Sequence, residues 1–392
     1  MMNRHLTNTT LVAAVAALGL GLAAPAASAT GPTHDRPQNR LQDSVNAIQK
    51  TGTVGVLAQS TGPGGKRYAT AGVADTATGE AVRAGDRFRI ASTTKTFVAT
   101  TVLQLAGEGR LSLDDTVEDL LPGVVKGNGN DGSKITVRQL LNHTSGLFNY
   151  TADFPEINSV DGFQADRYTT WTPSRLVAIA MKHAPDFEPG AKWAYSNTGY
   201  ILAGMIIEKV TGNSWQQEVT RRIIRPLGLL NTFAPNTYPR IPGRHLHGYS
   251  NFGNSGPTID VTDFNPTAAG AAGAMISTTG DVTRFFSALL GGRLLHPAEM
   301  AEMKTTVRAP ELDPVWPGAS YGLGLMRIPL SCGGVYFSHA GDLAGYTTRD
   351  GVSADGRRAV VLEATGDGAS DLSTELAQNA LIDKELCATA GK

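Results

Sequence analysis

Cysteine is almost missing from this chain: its 392 residues include two, Cys332 and Cys387, both in the last quarter. So few exclude a disulfide-dense scaffold, and with no histidine or third cysteine at ligand spacing they exclude a zinc site built on them. Neither sign of charge is in excess, with 34 Lys and Arg against 35 Asp and Glu. That balance leaves no electrostatic footprint for nucleic acid or an anionic membrane, so neither is expected as a partner. After the first thirty residues no apolar run is long enough to span a bilayer, and no stable membrane anchor is expected. His245 and His247 alternate as metal ligands on a strand could, but two without a third read as a polar edge. No metal and no cofactor is called for.

What the sequence does have begins with a leader. Arg4 precedes an apolar stretch, "LVAAVAALGLGLAAPAASA", that ends in Ala27-Ser28-Ala29. This pattern predicts a secretory signal peptide over 1–29, cleavage after Ala29 and a secreted, extracellular protein. Cleavage removes one charge, Arg4, leaving 33 basic against 35 acidic residues, a net −2. In an oxidising compartment Cys332 and Cys387 are expected to close one disulfide, two inert thiols being the alternative. The remaining chain exceeds the size at which one core stops growing, so two cores or one two-lobed core are expected.

Residues 30–43 are polar and proline-bearing, a mobile leader by composition, followed by a short helix near 44–50. Strands are predicted at 53–59 and 67–75, joined through "STGPGGK", with "RFRIAS" a third extended piece. The helix after Ser92 is apolar almost all round and belongs in a core. Between 112 and 268 helical periodicity alternates with long irregular segments of the kind that wall binding sites. From 269 onward a helix, strands at "YGLGLMRI", "VYFSHAG" and "RRAVVLEAT", and a last helix follow. The expected architecture is an α/β domain (44–111 with 269–392), an antiparallel sheet flanked by helices, carrying an inserted mostly helical domain (112–268), with the active site in the cleft between them.

Three short stretches carry chemistry. Ser92 and Lys95 stand three apart at a helix start and share a face. A serine hydroxyl needs a base beside it to attack, and a buried lysine can have its pKa lowered enough to be that base. Tyr195-Ser196-Asn197 precedes a helix; a tyrosine hydroxyl can shuttle a proton and an asparagine can hold both a lysine and a carbonyl. The triplet recurs as Tyr249-Ser250-Asn251, which reads as loop because no helix follows. In "VYFSHAGDLAGY" a strand delivers His339 and turns through Gly341, where a substrate could approach the backbone closely. Taken singly, each has an ordinary structural reading as a cap, a junction or a strand end.

In this order and context the chain resembles the penicillin-recognising serine hydrolases: the secreted Streptomyces D-alanyl-D-alanine carboxypeptidase type, class C β-lactamases, D-aminopeptidases and D-stereospecific amidohydrolases. "STTK" is similar to the family's Ser-x-x-Lys, Tyr195-Ser196-Asn197 to its Tyr-x-Asn, and "HAG" to its His/Lys-x-Gly. The likeness covers essentially the whole mature chain. It implies a Ser92 acyl-enzyme, Lys95 and Tyr195 sharing base and acid roles, Asn197 positioning Lys95 and substrate, and His339 hydrogen-bonding near Tyr195. It also implies an oxyanion hole of the Ser92 and Asp342 N–H groups, and a Cys332–Cys387 disulfide like the carboxypeptidase's. Expected partners are small D-amino-acid derivatives or peptidoglycan-type peptides, with β-lactams as acylating inhibitors. A D-alanyl-D-alanine carboxypeptidase, a β-lactamase, a carboxylesterase and a non-catalytic penicillin-binding scaffold are the alternatives.

One position departs from the carboxypeptidase pattern. The residue after His-x-Gly, which there helps hold a terminal carboxylate, is the anion Asp342. The arginine assisting it falls on Met326, and Arg327 beside it points to the opposite strand face. Weak action on free-acid D-Ala-D-Ala ends is therefore expected, with amides, esters or longer peptides preferred and Asp342 available to a substrate ammonium. Carboxylate binding restored by Arg327, with Asp342 turned away, is the alternative. Phe154 is expected on the helical side of the cleft, Trp171 in core packing, Trp193 beside the Tyr195 loop, and His143 as a buried structural histidine at a helix end.

Overall fold

The computed structural model describes residues 37–154, 159–253 and 256–388. The expected signal peptide and the first residues of the leader, 30–36, lie outside them. The first helix, α1 (Pro37–Gln49), starts ahead of the expected 44–50. Leu41, Val45 and Ile48 form one fully buried stripe on it, an apolar face that the polar composition had hidden.

Strands β1 (Gly55–Gly62) and β2 (Gly65–Asp75) form the expected hairpin, with Pro63 and Gly64 as its two-residue loop. They lie in a ten-stranded, wholly antiparallel sheet with β3 (Glu80–Ala81), β4 (Val307–Arg308), β5 (Ser320–Tyr321), β6 (Met326–Pro329), β7 (Val335–Ser338), β8 (Gly341–Leu343), β9 (Tyr346–Ser353) and β10 (Ala359–Thr365). The order is β4-β5-β6-β7-β9-β10-β1-β2-β3, with β8 paired to β9. Because β10 is buried along its whole length, its side chains alternate between two cores: Ala359 and Val361 on one face, Val360, Leu362 and Ala364 on the other. Helices α1 and α5 (Ser373–Cys387) cover the second face, and α4 (Thr279–Leu290) lies on the first.

Two expectations about strands change. The "RFRIAS" piece contributes Phe88–Arg89, which pairs with Ile276–Ser277 in a separate two-stranded ladder. Strand β9 was not expected, although it lies in the middle of the sheet. Its sequence, Tyr346 to Ser353, buries Thr348, Arg349 and Asp350, so it lacks the apolar alternation that marks a strand.

Helix α2 (Thr94–Gly107) is buried along nearly its whole length, as its composition predicts, and packs on α3 (Asn197–Thr211). The segment 112–268 otherwise holds short helices, such as Val137–Leu141 and Pro173–Ala180, between long irregular stretches. Tyr249–Ser250, read from sequence as loop, pairs with Ile259–Asp260.

Candidate active site

The polypeptide enters α2 through a single 3-10 turn, Ala91–Thr93. Ala91 holds φ +44°, a left-handed conformation that a residue with a Cβ rarely adopts, so the backbone immediately before Ser92 is strained. The turn is stitched to the end of β7: Thr93 Oγ1 donates to the His339 carbonyl at 2.9 Å. Gly341 lies so close that a Cβ there would come within 2.3 Å of the Ile90 carbonyl oxygen. The absence of a side chain at Gly341 is thus what lets β8 run beside Ser92.

Lys95, the second residue of α2, is completely buried. Its Nζ donates to Ser92 Oγ at 3.0 Å, to Asn197 Oδ1 at 2.7 Å and to the Ala272 carbonyl at 2.6 Å. Loss of hydration holds its pKa well below the usual lysine value. Asn197 opens α3, and its amide is oriented by Asn149, whose Oδ1 accepts from the Asn197 backbone N–H at 3.1 Å and from Nδ2 at 3.3 Å. With its amine turned to Asn149, the amide oxygen faces Lys95. Asn149 is a site residue that sequence reasoning missed.

Tyr195 stacks over Lys95, with Nζ 4.9 Å from its ring centroid. Desolvation pushes its hydroxyl up, a hydrogen bond with Ser92 pulls it down, and the charge of Asp342 pushes it up again. His143 is buried as expected, just past the helix Val137–Leu141, but its place is inside the site: its ring lies 4.3 Å from that of Tyr195. Its Nδ1 accepts from the Ser196 N–H at 3.2 Å, and burial together with the Lys95 charge holds its pKa well down. Trp193 packs beside Tyr195, its ring 6.5 Å away.

His339 is brought to the same cluster, with Tyr321 as its side-chain partner. The ring's Nδ1 is 2.7 Å from the Ala340 carbonyl, an acceptor, so Nδ1 carries the proton and Nε2 accepts from the Tyr321 hydroxyl at 2.7 Å. Burial, reinforced by Lys95, pushes its pKa down to about 3, which keeps the ring neutral. The His339 N–H goes to the carboxyl of Asp350 on β9 at 3.0 Å. Burial raises that carboxyl to about 8.

Ser92, Asn197, Phe154 and Asp342 line a cleft of about 870 Å³, which continues past Tyr150, Phe163 and Phe264 to Ser250 and Asp367. Met326 is buried in the core behind the sheet, Arg327 is exposed, and neither lines the cleft. The cation beside Asp342 is instead Arg349 of β9, whose Nη2 lies 2.8 Å from Asp342 Oδ1. Phe154 is buried against Trp171, their ring centroids 4.7 Å apart. His245 and His247 stack 4.9 Å apart, and His247 pairs with Asp260. Cys332 and Cys387 form a disulfide.

This arrangement can do acyl transfer. A serine hydroxyl 3.0 Å from an amine whose pKa burial lowers has beside it a group able to take its proton as it attacks.

Known proteins point the same way. A family model described as Beta-lactamase matches residues 39–383. The structure superposes on a D-stereospecific amidohydrolase from Streptomyces sp. with TM-score 0.82 at 44% identity, covering 90% of this chain and 99% of that one. The D-amino acid amidase of Ochrobactrum anthropi SV3, solved with D-phenylalanine, superposes with TM-score 0.78 at 30% identity over 90% of this chain and 99% of that one. Penicillin-binding protein 4 of Amycolatopsis lactamdurans is 32% identical over 60% of this chain and 61% of its own length. The chain spans about three-fifths of the length of the curated relatives it matches. With a family model running from within α1 into α5, over residues 39–383, the chain belongs to the Beta-lactamase family.

Proposed function

We propose that the protein hydrolyses amides, esters or short peptides of D-amino acids, outside the cell after removal of residues 1–29. In its neutral form the Lys95 amine donates to Asn197 Oδ1 and the Ala272 carbonyl and accepts from the Ser92 hydroxyl, so that Ser92 Oγ attacks the substrate carbonyl as its proton passes to Nζ. The oxyanion is held by the Ser92 and Asp342 N–H groups, and Tyr195 hands a proton to the departing amine or alcohol. Water then releases the acyl group by the reverse relay. The cleft between the sheet-bearing segments (44–111 and 269–392) and the helical segment (112–268) would be the substrate channel.

The observation that carries this reading is the contact of Lys95 Nζ with Ser92 Oγ, 3.0 Å, at a lysine with no access to water. The D-configured substrate class is supported by likeness, over nearly all of both chains, to a D-stereospecific amidohydrolase and a D-amino acid amidase. An aromatic wall of Tyr150, Phe154, Phe163 and Phe264 suits a bulky apolar side chain. The disulfide suits an oxidising compartment, and among the described residues no helix is long and apolar enough to cross a membrane.

The test is hydrolysis of D- and L-phenylalanine amide by wild type and Ser92→Ala, with intact-mass detection of adducts. Turnover of the D-amide at least a hundredfold above the L-amide, abolished in the variant, supports the reading. A stable benzylpenicillin adduct on Ser92 with no amide turnover would make the protein a carboxypeptidase-like penicillin target instead.

A further inference from the structure

We infer that Asp342 is a built-in carboxylate that occupies the anion place in front of Arg349, and that it thereby turns the enzyme away from substrates with a free carboxylate beside the scissile bond. The inference rests on the acyl-transfer reading above and names the feature that sets its leaving-group preference.

Arg349 is almost fully enclosed, 3% exposed. Its guanidinium lies 5.4 Å from the centroid of the Trp316 ring, Nη1 donates to the Thr348 carbonyl at 3.0 Å, and Nε is buried without an acceptor. Two other acids lie near it in the sheet. Glu363 is buried, spends its oxygens on the Thr347 N–H and the Thr348 hydroxyl, and is pushed well toward the neutral form. Asp350 receives the His339 N–H and is likewise raised by burial. Among the described residues, the ion pair that Arg349 makes is with Asp342.

Asp342 faces both ways. Its side chain is 61% exposed, it lines the cleft, and its charge reaches the Tyr195 hydroxyl. A substrate lying along β8 with its carbonyl at the N–H groups of Ser92 and Asp342 places the group after the scissile bond beside this side chain. A carboxylate there meets a like charge, whereas an amide or ester meets none. Without Asp342 the same carboxylate would meet a buried guanidinium lacking its counter-charge, an arrangement that strongly favours an outside anion. Arg349 is therefore a masked carboxylate site, and Asp342 is its mask.

The experiment compares kcat/KM for cleavage of the Phe–Ala bond, read as the initial rate of free D-phenylalanine release, in the dipeptide D-Phe-D-Ala and in its C-terminal amide, which share that bond and differ in terminal charge. It uses wild type, Asp342→Asn, Asp342→Ser and Asp342→Ser/Arg349→Gln. Wild type is expected to favour the amide at least tenfold. Both single variants should lower the amide-to-acid ratio at least tenfold, mainly through KM for the acid, and the double variant should return it toward wild type. A ratio within twofold of wild type in both single variants, or equal ratios in Asp342→Ser and the double variant, overturns the inference.

If wild type turns over neither these dipeptides nor D-phenylalanine amide, the proposed function fails while the mask is still read by protection. N-acetyl-D-alanine should slow labelling of Ser92 by a fluorophosphonate at tenfold lower concentration in Asp342→Ser than in wild type. Equal protection of the two proteins would overturn the mask.

Discussion

Lys95 Nζ lies 3.0 Å from Ser92 Oγ, and none of its three hydrogen-bond partners is charged. An ammonium held by a hydroxyl, an amide oxygen and a backbone carbonyl lacks the counter-charge that would keep it protonated once water is excluded. Function follows from that imbalance, since a lysine beside a carboxylate would stay charged and could take no proton.

Substitution Lys95→Met should lower the acylation rate by at least a thousandfold, and Lys95→Arg should not rescue it, because a guanidinium stays protonated. Burial lowers the Lys95 pKa. The fraction of neutral base therefore rises with pH and saturates well before the ordinary lysine range. The pH profile of kcat/KM should climb on its acid side and then flatten, with the apparent pKa belonging to the coupled Lys95–Tyr195 pair. Burst measurements with a D-amino-acid ester across pH check both points. A rate still rising at pH 10 would mean that the lysine is not depressed.

Gly341 gives a prediction about the oxyanion side. A methyl group there would stand 2.3 Å from the Ile90 carbonyl and 3.1 Å from Thr93 Oγ1, both in the segment leading to Ser92. Gly341→Ala should push β8 away from the Ser92 turn and spoil the distance between the two N–H donors. Misplacing one oxyanion donor costs roughly a hundred- to a thousandfold in kcat. The expected result is a folded protein with kcat down by about that factor and KM changed far less. A variant with wild-type kcat would remove Asp342 N–H from the proposed hole.

Asp350 ties the site to stability. Burial raises its carboxyl to about 8, so between about pH 4 and 8 the folded protein holds a proton that the unfolded chain has released. Its contribution is fully present below the unfolded value and is lost as pH rises through that window. The loss amounts to at most about 1.4 kcal/mol per pH unit. Asp350→Asn lacks the proton, keeps an oxygen for the His339 N–H, and should remove this slope. Urea denaturation of both proteins at pH 5, 6, 7 and 8 measures it; parallel stability curves would show that Asp350 is ionised in the fold.

The sequence made the candidate cluster legible because its members are polar residues at fixed offsets from helix starts and strand ends. Ser92 with Lys95, Tyr195 with Asn197, and His339 all converge on one site. What it hid was β9. Residues Tyr346–Ser353 bury Thr348, Arg349 and Asp350, so hydrophobic periodicity fails there, and Asp350-Gly351 reads as a hairpin turn. The glycine is present for a different reason: a Cβ on it would fall 2.3 Å from Ile382 Cγ2 of α5. Without β9 the sequence gives Arg349 no place in the sheet, and Arg327 stands as the cation nearest in sequence to the expected position. Similarly, Asn149 and His143 act from loops whose only signal is their fold-dependent nearness to Tyr195 and Asn197.

The disulfide carries the last prediction. Cys332 and Cys387 are 55 residues apart, and Cys387 is the final residue of α5. Cross-linking a loop of that length stabilises a fold by about 4 kcal/mol in the chain-entropy account, with measured values commonly between about 2 and 4. The loss should reach the site, because Ile382 and Leu386, the helix residues against Gly351, lie within the last two turns before the bridge. A helix that frays backward from Cys387 uncovers the strand that holds Arg349 and Asp350. Cys332→Ser/Cys387→Ser should therefore lower the midpoint of chemical denaturation, and activity should disappear together with the helix signal. A midpoint equal to that of the oxidised protein would show that α5 is held by its packing alone.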